Sequence, residues 1–331
     1  MKTLLVIGTG GTIAGAAPAA TQTTGYHAGA LAVSQLVDDL PALAEIASIR
    51  TSQPFSIGSQ HMASSNWLEL ALLVREAQAD AGVDGIVITH GTDTMEETAF
   101  FLDLVTNDRK PIVMTGAMRP ATAVSADGPA NLLGACRFAC DAGAAGRGVL
   151  VAFGDRAFTA ASVTKVHTLH TDGFAARGDA VSGELVAETV QWRRRPQEPP
   201  RPFAGLALPA SLPPVALILQ HVDCDAAVVA WQLGRGAHGI VIAGSGNGMM
   251  PVPMRAALAQ ASRSGCTVVR ASRVAGGPVV RNAEAEPADR DDALGFVASG
   301  YLPPLKARIL LQCCLAAGLS RAQIQALFDR Y

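Results

Sequence analysis

The sequence has little of what marks a nucleic-acid-binding, secreted or membrane protein. Charged residues make up only 16% of its 331 residues and the formal net charge is -2, so no basic surface for nucleic acid is expected. The first apolar run, at 4–7, is shorter than the roughly 7 to 15 residues of a secretory signal. No apolar stretch reaches the roughly 18 residues of a membrane span. We therefore expect a cytoplasmic protein that acts on a small molecule and binds neither nucleic acid nor membrane.

Paired cysteine motifs are also missing. The six cysteines form no CxxC arrangement, and no histidine lies near them at the spacing of a zinc site. Buried, reduced thiols explain these cysteines better than a metal centre does.

Apolar residues and glycine are what the chain has in quantity. Apolar residues make up 49% of the sequence and there are 33 glycines, a composition that fits a tightly packed α/β enzyme. The length favours two domains. Short apolar runs predict buried strands at 4–7, 85–89, 112–115, 149–153, 215–219, 240–243 and 267–269. Helical periodicity predicts helices at 67–80, 95–105, 131–141, 226–233, 254–263, 306–317 and 320–328.

The alternation of strands and helices predicts two α/β domains, a larger N-terminal domain with a mainly parallel sheet and a smaller C-terminal domain. Between 193 and 214, seven prolines interrupt any regular element. This segment is predicted to be an extended linker that separates an N-terminal catalytic domain at 1–192 from a C-terminal domain at 215–331. Ligands of open α/β sheets bind beyond the carboxyl ends of the strands. The residues just after each apolar run are therefore the candidates for chemistry.

The segment after the first run reads GTGGTIAG. It lacks the third glycine of a dinucleotide site, where Ile13 stands, and the Lys-Ser/Thr pair of a phosphate-binding loop. What remains is a bare backbone that can donate to an oxyanion, with the Thr12 hydroxyl in its middle, although a plain tight turn explains the glycines equally well. Tyr26 lies in the following loop, as a candidate proton carrier over this turn or as an ordinary surface tyrosine.

The segment after the second run reads THGTDTMEET. Thr94 and Glu97 have the spacing of a capping box, which predicts that a helix starts here. Thr92 and Asp93 then fall in the turn between strand and helix, where the helix amino terminus favours negative charge. A metal site that uses His90 would need the HExxH pattern or a histidine pair, and the sequence has neither.

Two further segments have polar residues with less context. Ser59 and Gln60 precede a predicted helix and could bind the charged groups of an amino acid, or could simply form a loop. Lys165 lies between the apolar Val163 and Val166. A partly buried lysine beside a carboxylate suits proton transfer, but on sequence spacing alone an ordinary surface lysine is the better interpretation.

Together these segments resemble the bacterial L-asparaginase family, and the resemblance covers nearly the whole chain. Its landmarks are GGTIAG at 10–15, THGTDTMEET at 89–98, GAMRP at 116–120, SADGP at 125–129, GSGNG at 244–248, GFVASG at 295–300 and KAR at 306–308.

The resemblance implies a homotetramer, built from two intimate dimers, that converts L-asparagine to L-aspartate and ammonia with neither a metal nor an organic cofactor. By position, Thr12 matches the nucleophile and Tyr26 its partner on a flexible loop. Thr92, Asp93 and Lys165 match a second catalytic group. Which of the two groups is the base for Thr12 stays open at this point.

The same resemblance assigns the substrate-binding residues. Gly11, Ser59, Gln60 and Asp93 match those of the pocket itself. Gln60 is an amide where glutamate accompanies more glutaminase activity, so asparagine is the expected substrate rather than glutamine.

Two more residues match groups that reach into the pocket of a neighbouring subunit. Asn247 matches an asparagine of the GSGNG turn. Glu284 matches a glutamate that binds the substrate ammonium, with Glu286 as the other candidate in a slightly longer segment.

Three alternatives remain: a glutaminase-asparaginase of mixed specificity, an oxidoreductase with a degenerate nucleotide loop, and a non-catalytic two-lobed ligand-binding protein. The missing third glycine counts against the oxidoreductase. Two threonines, a tyrosine and a lysine at positions that match the family motifs count against the binding protein.

Overall fold

The computed structural model of the chain describes residues 1–107, 109–178, 181–195 and 201–331. It divides into two compact units, Met1–Leu208 and Pro209–Tyr331, each with its own sheet. The predicted fold class of two α/β domains, the larger one first with a mainly parallel sheet, is confirmed. Residues 196–200 of the predicted linker lie outside the described residues, and the domain limits at 192 and 215 stay predictions.

The elements of the first unit include the predicted strands and helices, with extra strands towards its end. The strands are β1 Thr3–Gly8, β2 Ser48–Ser52, β3 Gly85–Thr89, β4 Ile112–Thr115, β5 Val149–Phe153, β6 Arg156–Thr159, β7 Val163–Lys165, β8 Phe174–Ala176, β9 Val181–Val186 and β10 Thr189–Trp192. The helices are α1 Val33–Asp38, α2 Leu43–Ile46, α3 Ser64–Ala79, α4 Met95–Val105 and α5 Gly128–Cys140.

The main sheet of the first unit has the strand order β10-β9-β6-β5-β4-β3-β1-β2. From β2 to β5 the strands are parallel, while β6, β9 and β10 extend the sheet antiparallel. Strands β7 and β8 form a separate antiparallel hairpin.

The centre of this sheet is buried because its strands carry apolar residues on both faces. Val87 and Val113 belong to a core cluster with Leu132 and Phe138 of α5. The alternate residues of a strand point to the opposite face, and helices α3 and α4 also pack against the sheet. Each fully buried aliphatic or aromatic side chain contributes about 1.5 to 3 kcal/mol, so this core stabilises the platform beneath the loops.

The strand order changes direction at β1. From β1 the chain proceeds to β2 on one side, whereas β3 pairs with β1 on the other side. The loops that follow β1 and β3 therefore leave adjacent parallel strands at the same edge of the sheet. This is the switch point at which open α/β sheets bind their ligands.

The second unit contains a smaller sheet with the strand order β11-β12-β13-β14, and its strands are all parallel. Its strands are β11 Val215–Leu219, β12 Gly239–Gly244, β13 Thr267–Ser272 and β14 Phe296–Ala298. Its helices are α6 Ala227–Gly234, α7 Val252–Arg263, α8 Asp291–Leu294, α9 Pro304–Ala316 and α10 Arg321–Phe328. Ile240 and Ile242 pack with Met254 and Leu258 of α7, and α9 packs against β11 and β12. Within the described part of the chain, no helix has both the length and the apolar character needed to cross a membrane.

Candidate active site

The turn after β1 depends on two glycines in the left-handed region. Gly10 has a φ of 96° and Gly11 a φ of 80°, values that other residues adopt at a cost. A Cβ on Gly11 would lie 2.3 Å from the backbone nitrogen of Gly91, in the turn after β3. Glycine therefore lets the two turns touch, which brings Thr12 and Thr92 to the same pocket.

Thr12 lies beside Tyr26. Thr12 is only 8% exposed, and its Oγ1 is 2.6 Å from the Tyr26 hydroxyl, with either atom able to donate. The loop of Tyr26 is closed by an antiparallel bridge between Ala16 and His27, and a Cβ on Gly15 would lie 2.9 Å from the tyrosine ring. The phenol is thus held where it can exchange a proton with the threonine hydroxyl.

Lys165, at the end of β7, contacts two residues of the turn after β3. Its Nζ donates to Thr92 Oγ1 at 2.9 Å and to Asp93 Oδ1 at 2.7 Å. The lysine and aspartate side chains are 17% and 58% exposed. An ammonium has donors only, so Thr92 Oγ1 accepts from it and keeps its own proton for another acceptor. Asp93 also lies beside the amino end of α4, where negative charge is favoured.

Ser59 and Gln60 lie in a short 3-10 turn, Ser59–His61. Ser59 is buried, and its Oγ accepts the backbone N–H of Asp93 at 3.1 Å. The serine proton is therefore left for an anion in the pocket. Gln60 is exposed and folds back over Gly58, where a Cβ would lie 2.6 Å from the glutamine Oε1.

The capping box predicted for the start of α4 is wrong in its side-chain bonding. Thr94 is the N-cap residue, but its hydroxyl makes no capping bond to Glu97. It donates instead to the backbone carbonyl of Ser59 at 2.9 Å. A long-range acceptor has replaced the local one, and this bond attaches the Ser59 turn to the turn after β3.

These residues line one pocket of about 320 Å³. The structure brings together every predicted site residue of the first unit, namely Gly11, Thr12, Tyr26, Ser59, Gln60, Thr92, Asp93 and Lys165. The wall also contains residues that were not predicted, namely Thr23, Thr24, Gly25, Ala28, Gly58, Gly91, Met118, Thr168 and Leu169.

Met118 belongs to the GAMRP landmark at 116–120, from which no role for the methionine was predicted. It follows β4, the next strand along the same sheet edge. Asp127 fixes its loop by accepting the backbone N–H groups of Met118 at 2.9 Å and Arg119 at 3.0 Å. Thr168 and Leu169 come from the turn of the β7–β8 hairpin, and their sequence gives no comparable signal.

His90 has a structural role beneath the pocket. Its Nδ1 lies 2.7 Å from the Gly91 carbonyl, and its Nε2 lies 3.0 Å from Thr98 Oγ1. Trp67 Nε1 donates to the same threonine oxygen at 2.9 Å. The histidine thus donates from Nδ1 and accepts at Nε2, while burial lowers its pKa to about 4. Among the described residues, no group of three or more His, Cys, Asp and Glu side chains is arranged to hold a metal ion.

Asn247 and Glu284 belong to the second unit. Asn247 follows β12, and its Oδ1 accepts the backbone N–H of Val280 at 2.8 Å. Glu284 forms an ion pair with Arg255 at 3.3 Å and is 29% exposed. The alternative candidate, Glu286, is exposed.

Arg270 holds the two segments that carry these residues, and it was not predicted. It forms a buried, bidentate pair with Asp291, with Nε to Oδ1 at 2.7 Å and Nη2 to Oδ2 at 2.6 Å. It also donates to the backbone carbonyls of Asn247 and Val280. An arginine inside the apolar strand β13 was the available signal, because buried charges are normally paired.

Comparisons with known proteins agree along the whole chain. Residues 3–198 match the family described as "Asparaginase, N-terminal", and residues 214–328 match the "Glutaminase/Asparaginase C-terminal domain". The chain is 39% identical to "L-asparaginase 2" of Escherichia coli, over 100% of this chain and 94% of that protein. It is 40% identical to "Probable L-asparaginase periplasmic" of Haemophilus influenzae, over 100% and 93%. A solved structure, described as "Probable Cytoplasmic L-asparaginase from Campylobacter jejuni", matches with a TM-score of 0.93 and 37% identity, over 100% of both chains.

Proposed function

This chain belongs to the asparaginase family, and we propose that it converts L-asparagine to L-aspartate and ammonia through an acyl-enzyme on Thr12. One observation carries the proposal. A single pocket presents two buried threonine hydroxyls, one 2.6 Å from the Tyr26 phenol and the other 2.9 Å from the Lys165 ammonium.

The reaction has two halves. Thr12 Oγ1 attacks the side-chain carbonyl carbon of asparagine, the C–N bond breaks, and the amide leaves as ammonia after gaining a proton. Water then attacks the threonine ester, which releases aspartate and returns a proton to Thr12. The Gly11 N–H is already used, because it donates to the Ile57 carbonyl at 2.9 Å. The other backbone N–H groups of the glycine turn and the Thr92 hydroxyl are the donors we assign to the oxyanion.

Two groups are placed to take the Thr12 proton. Tyr26 is in direct hydrogen-bond contact with the hydroxyl, within the distance that proton transfer needs. Thr92, backed by Lys165, is the other candidate, since the family resemblance assigns this group to the reaction. Comparing Tyr26→Phe with Thr92→Val in acylation and deacylation separately assigns each group to its half-reaction.

The charged ends of the substrate also have candidate partners. The Asp93 carboxylate is more than half exposed and faces the pocket, so it is available to a substrate ammonium. The Ser59 hydroxyl, which accepts from the Asp93 N–H, keeps a proton for the substrate carboxylate. Gly11 and Gln60 complete this wall.

We further propose a homotetramer in which the pocket is shared, with Asn247 and Glu284 reaching the pocket of a neighbouring subunit. Glu284 is preferred over Glu286 because the residues upstream of Glu284 match the family pattern. A carboxylate that faces a substrate ammonium contributes about 1.5 to 3 kcal/mol. Glu284→Ala should therefore weaken substrate use by roughly 10- to 100-fold.

Complementation tests the shared pocket. A Thr12→Ala protein is mixed with a Glu284→Ala protein under conditions that exchange subunits. Hybrid dimers should regain activity, because one pocket then has the Thr12 of one chain and the Glu284 of the other. If exchange is confirmed and no activity returns, either the shared pocket or the choice of Glu284 is wrong.

Ammonia release from asparagine, without added cofactor, tests the activity itself. The wild-type protein should release ammonia and Thr12→Ala should not, which also separates the enzyme from a two-lobed binding protein. The same assay with glutamine tests the mixed-specificity alternative, which the name of the second matched family raises. Comparable specificity constants for the two substrates would favour that alternative.

The compartment is proposed to be the cytoplasm. The Campylobacter jejuni structure is described as cytoplasmic, which supports this location. The Haemophilus influenzae relative is described as periplasmic, which supports the periplasm. Cell fractionation of the native organism decides between them.

A further inference from the structure

Glu96 is a buried carboxylate that the proposed reaction does not use. It lies in the first turn of α4, four residues after Thr92, and is only 7% exposed. Glu96 is not one of the described residues that line the pocket. A buried charge is costly unless it is paired and hydrogen-bonded, so its partners indicate what it does.

Both carboxylate oxygens of Glu96 bind the strand that carries Lys165. Oε2 accepts the hydroxyl of Thr164 at 2.7 Å, and Oε1 accepts the backbone N–H of Lys165 at 3.3 Å. Arg177, at the far end of the same hairpin, adds a positive charge. Burial lowers the pKa of Arg177, and the Glu96 carboxylate acts in the opposite direction.

The hairpin is held by its buried side chains Val163 and Phe174, and Glu96 adds the polar contact at Lys165 itself. Strands β7 and β8 have three residues each and form a sheet of their own. A two-stranded hairpin of this kind is at best marginally stable without other contacts. Lys165 is therefore presented by an element whose position depends on what it binds.

We propose that Glu96 is the positioning residue that sets the catalytic Lys165 against Thr92. The carboxylate sits on the helix that begins just after Thr92 and Asp93, and it grips the backbone at Lys165. The lysine is thereby fixed at both ends, at its N–H by Glu96 and at its Nζ by Thr92 and Asp93. This inference rests on the proposed function for the role of Lys165.

Loss of the contact between Glu96 and β7 is expected to lower turnover. A misplacement of about 1 Å in a catalytic group can cost on the order of 100-fold in rate. Glu96→Gln keeps the shape, but it loses the charge and replaces one acceptor with a donor. We expect kcat to fall by roughly 10- to 100-fold, with KM little changed because the substrate-binding wall is intact.

The experiment measures kcat, KM and hydrogen exchange of the hairpin peptides in wild type, Glu96→Gln and Thr164→Val. Exchange between 163 and 176 should become faster in Glu96→Gln, since the Lys165 amide loses its acceptor. Thr164→Val removes one of the two bonds and should show a smaller change of the same kind. The double variant should lose less than the sum of the two single variants, because both changes act on the same contact between Glu96 and β7. Glu69→Gln, an exposed glutamate on α3, is the charge-matched control and should match wild type.

Two results would overturn the inference. The first is a folded Glu96→Gln protein with wild-type kcat. The second is a fall in kcat with unchanged hairpin exchange, because Glu96 would then act without holding the strand. Should Glu96→Gln fail to fold, the same two readouts on Thr164→Val decide. A wild-type protein that releases no ammonia refutes the proposed function instead, and hairpin exchange still tests the anchor.

Discussion

Two cation–carboxylate pairs of similar length lie in very different surroundings in this molecule. Lys165 and Asp93 are 2.7 Å apart with the aspartate 58% exposed, whereas Arg270 and Asp291 are 2.6 Å apart and only 5% and 3% exposed. The lysine shares its charge with the Thr92 hydroxyl at the wall of an open pocket. The arginine distributes its donors over a carboxylate and two backbone carbonyls.

The difference in exposure indicates that the two pairs have different roles. The Lys165 pair has a solvent side and a neighbouring hydroxyl, so its proton and charge can respond to a substrate. The Arg270 pair is enclosed by fixed partners, and it ties the Asn247 turn to the segment before α8. The same kind of bond is therefore expected to govern turnover in the first unit and stability in the second.

The largest expected effect is on turnover in the first unit. Lys165→Met should reduce kcat by roughly 100- to 10,000-fold, the range for loss of a positioned proton-transfer group. Thr12→Ala should cost at least as much. Thermal unfolding and the oligomeric state should stay near wild type, since neither residue carries core packing. Activity within a few-fold of wild type in either variant would remove that residue from the mechanism.

The second effect is on stability in the second unit. Arg270→Met leaves Asp291 buried without its partner, which should cost about 3 to 5 kcal/mol in the free energy of unfolding. Denaturant titration measures this loss. The exposed pair Arg50 and Asp80 provides the control, because Arg50→Met should cost at most about 1 kcal/mol. Equal losses in the two variants would show that burial does not distinguish these pairs.

Much of the fold was predictable from sequence because the central strands are buried on both faces. The continuous apolar runs that predicted β3, β5 and β12 coincide with the observed strands. The edge strand β2 is mostly exposed and lacks such a run. The antiparallel strand β9 contains glycine and glutamate. For strands like these, pairing partners rather than their own sequence decide the conformation.

The pocket was predictable to a different degree. Thr12 and Thr92 follow strands, so the switch-point rule applies to them directly. Lys165 lies some seventy residues from Thr92 along the chain, and its assignment required the family resemblance. Glu96 was hidden because an acidic residue in the first turn of a helix has a sufficient local explanation. The capping box predicted for Thr94 failed for a similar reason. The spacing of Thr94 and Glu97 does not reveal that the hydroxyl binds the distant Ser59 carbonyl.

The third effect concerns pH and distinguishes a buried neutral group from both pairs. Burial lowers the pKa of His90 from 6.5 to about 4. Between these values the unfolded chain binds a proton that the folded chain does not, so stability is fully present above about pH 6.5 and is lost as the pH falls towards 4. The loss should be on the order of 3 kcal/mol.

Denaturant titrations at pH 7 and pH 5 measure this dependence. A folded His90→Gln protein should lose most of it, whereas His61→Gln, at an exposed position, should keep it. An unchanged pH dependence in His90→Gln would exclude His90 as its source.

The smallest effect is on substrate choice at the pocket wall. Gln60→Glu should shift the ratio of kcat/KM values for asparagine and glutamine towards glutamine, by about 1 kcal/mol, or less than about tenfold. Turnover of asparagine itself should change little, since Gln60 is exposed and lies outside the Lys165 network. A ratio that stays at the wild-type value would mean that selectivity is set elsewhere in the pocket.

The most direct test of the central claim is the partition of the acyl group between water and hydroxylamine. If both substrates form the same Thr12 ester, L-asparagine and the β-methyl ester of L-aspartate must give the same ratio of β-hydroxamate to aspartate, because the leaving group has already departed. We expect one common ratio in the wild-type protein and no hydroxamate from Thr12→Ala. A ratio that differs between the two substrates, or hydroxamate formed by Thr12→Ala, would contradict a threonine acyl-enzyme.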